Sequence, residues 1–548
     1  MKRLFSLALC LALLAVLCAG AFAEERTYPD YLNLESSEPI IKDEYAGTVK
    51  IKLMIVQDST GGEWDDLWIS RYLKERYNVE FEIESVLNTA LDEKKSLMFA
   101  TGDLPDMIWG AGLTNADLML YGVQEGMLYP IDTVMSEKLC PNICKYLSRE
   151  DIARAVTTPD GHIYTLPQVI NDQDEGSYPR LFLNRAKMTE MGFEELPRTL
   201  DEFNELVYAF KALDPENNFP IGGGMEVKQN AFFLLNALGY TSQYTMNYGE
   251  KPALRNGEVV IPAYDTEIFS EYLALMNRYY NDGIINPNYF TMEDTEAIAQ
   301  LNNGQTLLYG EPVYVTGLTS WSDWEAPYPL TSEWNESPQW SCPSFANVGG
   351  CVISAKTEYI DLCLRICDLY FSEDSRLLWT GPANDSEWAF GYYFAELSDD
   401  GSMEKWDSSK LPEGMDLWTY LMQRTAGFMP PFGALEDVPA IAHSVEIRGG
   451  HYEKSFDLTD PDRQYRSSVY SNLVPYGVST YPRQFYLSEE DTNLLTDLQT
   501  MIEPYIQEQV ALFITGARPL DQVDAFKGEL EAMGVQDLLQ MYQTIYNG

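Results

Sequence analysis

Apolar and polar positions along the chain alternate between two periods. Val49 to Gln57 (VKIKLMIVQ) and Val79 to Val86 follow the spacing of strands, and between them Asp65 to Arg76 brings Ile69, Tyr72 and Leu73 onto one helical face. Lys94 to Ala100 is helical in pattern. The run FATGDLPDMIWG, Phe99 to Gly110, then reads as a helix stop at Gly102, a turn set by Asp103 and Pro105, and an apolar strand from Asp106 to Trp109. This β-α-β-α-β order predicts an α/β fold with a parallel, doubly wound sheet. Ligands of such sheets collect beyond the carboxyl ends of the strands, so Trp109, with the minimal Gly110 after it, is expected to lie exposed there under a flat ligand.

The alternation resumes further on. Leu181 to Asn184 reads as a strand, and Thr199 with Glu202 forms a capping box for a helix whose apolar stripe is Phe203, Leu206, Val207, Phe210 and Leu213. Asp265 to Asn281 is a helix stopped at Gly283, and Glu293 to Asn303 leads into a strand at Thr306 to Tyr309. Tyr359 to Phe371 and most of Glu489 to Asn547 are helical in pattern, while Trp321 to Pro343 is irregular and reads as an insertion or rim loop. Gly222-Gly223-Gly224 lacks the lysine of a phosphate loop and is expected to be a flexible turn.

The first residues change the setting. Lys2 and Arg3 precede an apolar run from Leu4 to Leu17, and Ala21-Phe22-Ala23 supplies a small-x-small cleavage pattern, so residues 1–23 are expected to be a signal peptide cut after Ala23. A lipid anchor at Cys18 is less favoured, because Leu17 stands where that chemistry wants a small residue. Export follows, to the periplasm, the cell surface or the medium. The remaining chain carries 35 basic against 84 acidic residues, a field that disfavours nucleic acid and anionic lipid. Its cysteines are sparse: Cys363 and Cys367 fall one helical turn apart and read as buried thiols, and Cys140 and Cys144 are placed to bridge a short loop. His162, His443 and His451 sit at no ligand spacing, so neither a metal nor another cofactor is expected.

No nucleophile elbow, zinc-protease helix or phosphate loop occurs, and with 84 carboxylates a pair at glycosidase spacing carries no information. Aromatic content points to binding instead. Sugars present apolar C–H faces beside hydroxyl rims, and the chain has 11 Trp and 36 Tyr. Those at strand ends and loops are the candidates: Asp58 and Trp64 on QDSTGGEWDD, Trp109 with Gly110, Tyr309 with Glu311, and Trp321.

Several segments, in order, resemble one family. ATGDLPDMI, Gly161 to Pro167, Phe513-Ile514-Thr515-Gly516 and Gly534 to Tyr542 resemble pieces of the extracellular solute-binding proteins, family 1, that feed carbohydrate ABC importers, in the large lipoprotein-like branch. The resemblance implies a type II periplasmic-binding-protein clamshell: two lobes, each a doubly wound sheet with flanking helices, joined by hinge strands and closing on a ligand. Lobe 1 would span 24–172 and return at about 340–430; lobe 2 would span 173–339 and return at about 431–548. Tyr164 would stand beside the crossing strand, and Trp388 on NDSEWAFG would occupy a loop where relatives face the ligand. The loop Asp214 to Pro220 lacks the closing Asp-Glu pair of the family's calcium cage, so it should hold calcium poorly or not at all. The implied function is capture of a carbohydrate, an oligosaccharide above all, by a monomeric, non-enzymatic protein that delivers it to membrane permease subunits. A secreted glycosidase or lyase, or a binding protein for peptides, stays open beside it.

Overall fold

In the computed structural model, the chain divides into two units: unit 1 is Met1–Ile170 with Ala346–Val445, and unit 2 is Asn171–Phe345 with Glu446–Gly548. The structure describes residues 26–57, 59–169, 181–224, 228–242, 248–310, 323–342, 346–372, 471–482 and 484–547, with short pieces at 375, 378, 395–397, 403–406, 423, 431–434 and 468. The expected signal peptide therefore lies outside the described residues, as does the segment Trp379 to Gly391.

Unit 1 is built on a six-stranded sheet. Its strands are β1 (Lys50–Gln57), β2 (Glu80–Leu87), β3 (Met107–Trp109), β4 (Leu166–Val169), β5 (Ala346–Ile353) and β6 (Gly433–Ala434), in the order β6-β4-β5-β3-β1-β2. β1 runs parallel to β2 and β3, and β4 parallel to β6; only β5 is reversed, antiparallel to both β3 and β4. The helices α1 (Trp68–Tyr77), α2 (Leu91–Thr101) and α3 (Ile360–Leu369) belong to the same unit. α1 closes on Asn78 at φ 56, whose side-chain amide reaches Ile41 O at 2.9 Å. α2 closes on Gly102 at φ 65, the left-handed stop that the sequence predicts.

The turn after Gly102 does scaffolding work. Asp106 accepts the Lys52 backbone N–H of β1 at 2.9 Å on one carboxylate oxygen and the Thr357 hydroxyl at 2.7 Å on the other, while its carbonyl accepts Ser354 N–H at 3.0 Å. One carboxylate thus clamps the amino end of β3 to the strand on one side and to the end of β5 on the other. Three strands and the segment after β5 are tied at this point by one residue of the GDLPD run.

Unit 2 holds its own core. The helix Leu200–Leu213 starts at the expected capping box, with Glu202 N–H on Thr199 Oγ1 at 3.2 Å and Thr199 N–H on the Glu202 carboxylate at 3.1 Å. Phe203, Leu206, Val207 and Phe210 are buried on its inner face, but Leu213, beyond the last turn of contact, is 62% exposed. The strands here are short: Phe182–Asn184 lies antiparallel between Leu308–Tyr309 and Trp324–Glu325. Helices supply most of the core, including Thr266–Asn281, the 27-residue helix Glu489–Thr515, and Val523–Ala532 with Val535–Asn547.

The stretch Trp321 to Pro343 differs from expectation. Where described, it is not a rim loop: Trp324 and Trp340 are fully buried, and Trp340 meets Phe232 edge-on at 5.0 Å between ring centroids. Gly222 and Gly224 are likewise packed rather than flexible, since a Cβ on Gly222 would lie 2.1 Å from Thr306 and one on Gly224 2.8 Å from Tyr289 O. Cys140, Cys144, Cys351, Cys363 and Cys367 are all free thiols. Cys140 precedes and Cys144 lies within one helix, Pro141–Leu147, and no bridge joins them.

Candidate functional site

Five of the six strands of the six-stranded sheet point their carboxyl ends at one edge, and the reversed β5 begins there. The boundaries between the units, after Ile170 and before Ala346, fall at this same edge, one residue beyond β4 and at the first residue of β5. It is the edge at which open α/β sheets hold ligands. It is therefore the candidate site, and its backbone is unusually specified.

β5 bulges at this end. Asn347 is paired with Gln168 and Cys351 with Leu166, so four steps along β5 match two along β4. The stretch between these pairs, Val348-Gly349-Gly350 against the single Pro167, is held by Gly349 N–H on Thr165 Oγ1 at 3.0 Å, Leu113 N–H on Gly349 O at 3.0 Å and Gly110 N–H on Gly350 O at 2.7 Å. Gly349 has φ 76, and a Cβ there would lie 1.8 Å from Leu113 O; one on Gly350 would lie 2.2 Å from Pro431 O. Bulges of this kind re-aim side chains at sheet rims. One step inside the last pair of this ladder, Val169 with Ala346, stand the amides of Asn347 and Gln168, both half-buried, with Asn347 Nδ2 donating to Gln168 Oε1 at 3.1 Å. Sequence reasoning passed over both. The signal was the Gly-Gly pair at 349–350 inside an otherwise apolar strand.

The structure corrects the aromatic candidates. Trp109 is fully buried, not an exposed platform. Its register partners are Ile55 on β1 and Cys351 on β5, and its ring packs edge-on against Phe81 at 5.7 Å and Tyr370 at 5.3 Å, with Phe432 also at 5.3 Å. Parity explains this: Trp109 stands two residues after Met107, another fully buried residue of the same core. Gly110 turns away at φ 94, and a Cβ on it would lie 2.7 Å from Val56, so the glycine answers to backbone packing.

Trp64 is 7% exposed and joins the same core, edge-on to Phe81 at 5.7 Å. Tyr164 is 6% exposed; its ring presses on Gly122 and its hydroxyl donates to Asp160 at 2.8 Å. It precedes β4 and so lies at the opposite edge of the sheet from Val169. Tyr309, in unit 2, is 3% exposed and opposite Phe182. Asp58, Glu311, Trp321 and Trp388 lie outside the described residues.

Among the described residues, the carboxyls raised by burial each sit among structural donors. Asp368, pushed up to about 6 by burial, accepts Ile143 N–H and the Asn142 amide, both at 2.8 Å. Glu250, raised by burial, accepts Tyr248 N–H at 2.8 Å and Gln507 at 3.3 Å; Glu325, also raised by burial, is held by Asn472 at 3.4 Å. Each is a single carboxyl with structural donors around it. Among the described residues, no group of three His, Cys, Asp or Glu could hold a metal ion. In the Asp214 loop the carboxylate accepts Asn217 Nδ2 at 3.0 Å, and the Lys211 ammonium donates to Asn218 O at 2.8 Å. No helix among the described residues is long and apolar enough to cross a membrane.

The fold is that of the two-lobed substrate-binding proteins of ABC transporters, and the chain is similar to members of that class over most of its length. The fructooligosaccharide ABC transporter substrate-binding protein FusA of Streptococcus pneumoniae is 24% identical over 479 residues, which are 83% of this chain and 82% of FusA. Its structure in complex with kestose superposes with a TM-score of 0.63 at 21% identity, covering 91% of this chain and 99% of that one. An HMO-binding solute-binding protein from Bifidobacterium longum infantis gives 0.68 at 16% identity, covering 91% and 99%, and the alginate-binding protein AlgQ2 gives 0.57 at 20%, covering 91% and 98%. No family model matches the chain. The relatives are binding proteins, not enzymes.

Proposed function

We propose that this chain is an extracytoplasmic substrate-binding protein that captures an oligosaccharide, without altering it, and delivers it to the permease subunits of an ABC importer. The observation that carries the reading is joint: sequence likeness to FusA over 83% of the chain, and a two-unit fold matched over 91% of it by structures of sugar-binding proteins. The site's own features support it, since a rim built from backbone bulge and amide side chains offers fixed hydrogen-bond donors and acceptors for hydroxyls. Export rests on residues 1–23 as a cleaved signal peptide, and the protein acts as a monomer that needs no cofactor. Asp58, Glu311, Trp321 and Trp388 remain proposed ligand contacts; Trp64, Trp109, Tyr164 and Tyr309 act through packing.

The reading is tested by thermal shift against a panel of fructo-, human-milk-type and other oligosaccharides, with peptides as the contrast. A true ligand at 100 times its dissociation constant should stabilise the fold by about 2.7 kcal/mol, and chromatography should return it intact. Stabilisation by peptides alone, or cleavage of the sugar, would overturn it.

A further inference from the structure

We infer that the turn Asp214 to Pro220 in unit 2 needs no calcium, because the ammonium of Lys211 and the amides of Asn217 and Asn218 close it, and that Lys211 positions the strand edge that follows. The calcium cage that the family resemblance implies at this place does not fit the residues present. Calcium takes about six to eight oxygens, and the turn offers only two carboxylates, Asp214 and Glu216. The Asp214 carboxylate is engaged by Asn217, whose backbone N–H donates to it at 3.3 Å and whose Nδ2 donates to its two oxygens at 3.1 and 3.0 Å. Asn217 O accepts Gln305 Nε2 at 3.0 Å, and Asn218 O accepts Lys211 Nζ at 2.8 Å. The buried Asn218 amide turns back to the helix, donating to Phe210 O at 2.9 Å.

Lys211 stands on the last turn of the helix Leu200–Leu213. Its ammonium lies 4.8 Å from the Phe219 ring centroid, and a Cβ on Gly283 would lie 2.9 Å from Nζ. Carbonyl, ring and glycine thus surround the charge, and a divalent ion brought to Asn218 O would meet it as a like charge. The turn hands its shape on. Phe219 N–H donates to Gln305 O at 2.8 Å, Pro220 O accepts Leu307 N–H at 3.0 Å and Leu308 N–H at 2.8 Å, and Gly222 N–H donates to Leu308 O at 2.9 Å. Lys211 is therefore a positioning residue for Pro220 to Gly222 beside the strand Leu308–Tyr309. A cation carried by the chain itself is not removed by a chelator.

Calorimetry of the purified full chain tests this, and no readout involves the sugar, so the outcome is independent of the carbohydrate reading. Wild-type protein should give no binding heat with calcium chloride, and the same unit 2 melting temperature in excess calcium as in excess EDTA. An ion held at 100 times its dissociation constant would raise that temperature by roughly 5 to 10 °C. Such a rise, or a saturable heat, would overturn the calcium independence. Lys211→Met keeps the apolar stem and removes the charge, leaving Asn218 O without its donor. It should lower the melting temperature by roughly 2 to 5 °C and speed amide hydrogen exchange at Phe219, Leu307 and Leu308, the readout that assigns the loss to this turn. Unchanged exchange at those amides, whatever the melting temperature, would overturn the role of Lys211.

Discussion

Replacing Trp109 with alanine should cost unit 1 much of its stability. The indole is fully buried between Phe81, Tyr370 and Phe432, with centroids 5.3 to 5.7 Å away on three sides. Those rings are themselves fixed by β2, by the end of α3 and by the residue before β6, so they have little freedom to collapse into the space vacated. Truncating a large buried aromatic of this kind costs about 3 to 5 kcal/mol, and loss of edge-on ring pairs adds to the upper end. For a unit of this size each kcal/mol shifts the midpoint by about 2 to 4 °C, so Trp109→Ala should lower the unit 1 transition by roughly 6 to 20 °C. Differential scanning calorimetry, which separates two transitions if the units unfold apart, is the assay. Ligand affinity measured well below the transition should change by less than about threefold, because a core residue touches no sugar. A melting curve like the wild type's, with affinity lost, would return Trp109 to the ligand and refute the packing argument.

Gly349→Ala should disrupt the rim, since the new Cβ would lie 1.8 Å from Leu113 O at a φ of 76; Gly126→Ala, at φ 60 with nothing within 4 Å, is the control and should cost only about 1 kcal/mol. A smaller loss at 349 than at 126, by urea denaturation, would contradict the bulge geometry. The Asp368 carboxyl is raised to about 6 by burial, so the folded state holds its proton more tightly than the unfolded chain. Its contribution to stability is thus complete below pH 4 and fades as pH rises through 6, by about 2 to 3 kcal/mol in all, and Asp368→Asn should flatten that slope. A slope that persists in the variant would clear Asp368. His162 is raised by its bond to Asp132 at 2.9 Å, so its pair stabilises below pH 6.5 and is lost as pH climbs through its folded value; a proton NMR titration of the three histidines should show it titrating above the usual range. Saturating ligand should lower the radius of gyration in small-angle scattering, as the two-lobed resemblance implies, and an unchanged value would remove that expectation.

Much of the frame was legible in the chain. The period of Val49 to Gln57, the Gly102 stop and the Thr199 capping box each rest on local rules, and each appears within a residue or two of its predicted place. The site was less legible. Trp109 was misplaced because strand parity, not proximity to a strand end, decides which face a side chain takes, and parity needs the partner strands β1 and β5, the latter more than 230 residues away. The same holds for Trp324 and Trp340, which sit among turn-forming residues yet fill the core of unit 2. Gln168 and Asn347 are unremarkable alone; they become a pair only through an antiparallel contact 179 residues apart. The motif GDLPD was recognisable, but Asp106 uses its carboxylate to bind β1 and Thr357, so what made it conspicuous was scaffolding.

One titration tests carbohydrate capture most directly. Purified protein, cleaved after Ala23, should bind at least one oligosaccharide with a stoichiometry of one in isothermal calorimetry, and the sugar recovered afterwards should have its original mass. Absence of heat with every oligosaccharide tried, or recovery of shortened products, would contradict a binding protein for carbohydrate import.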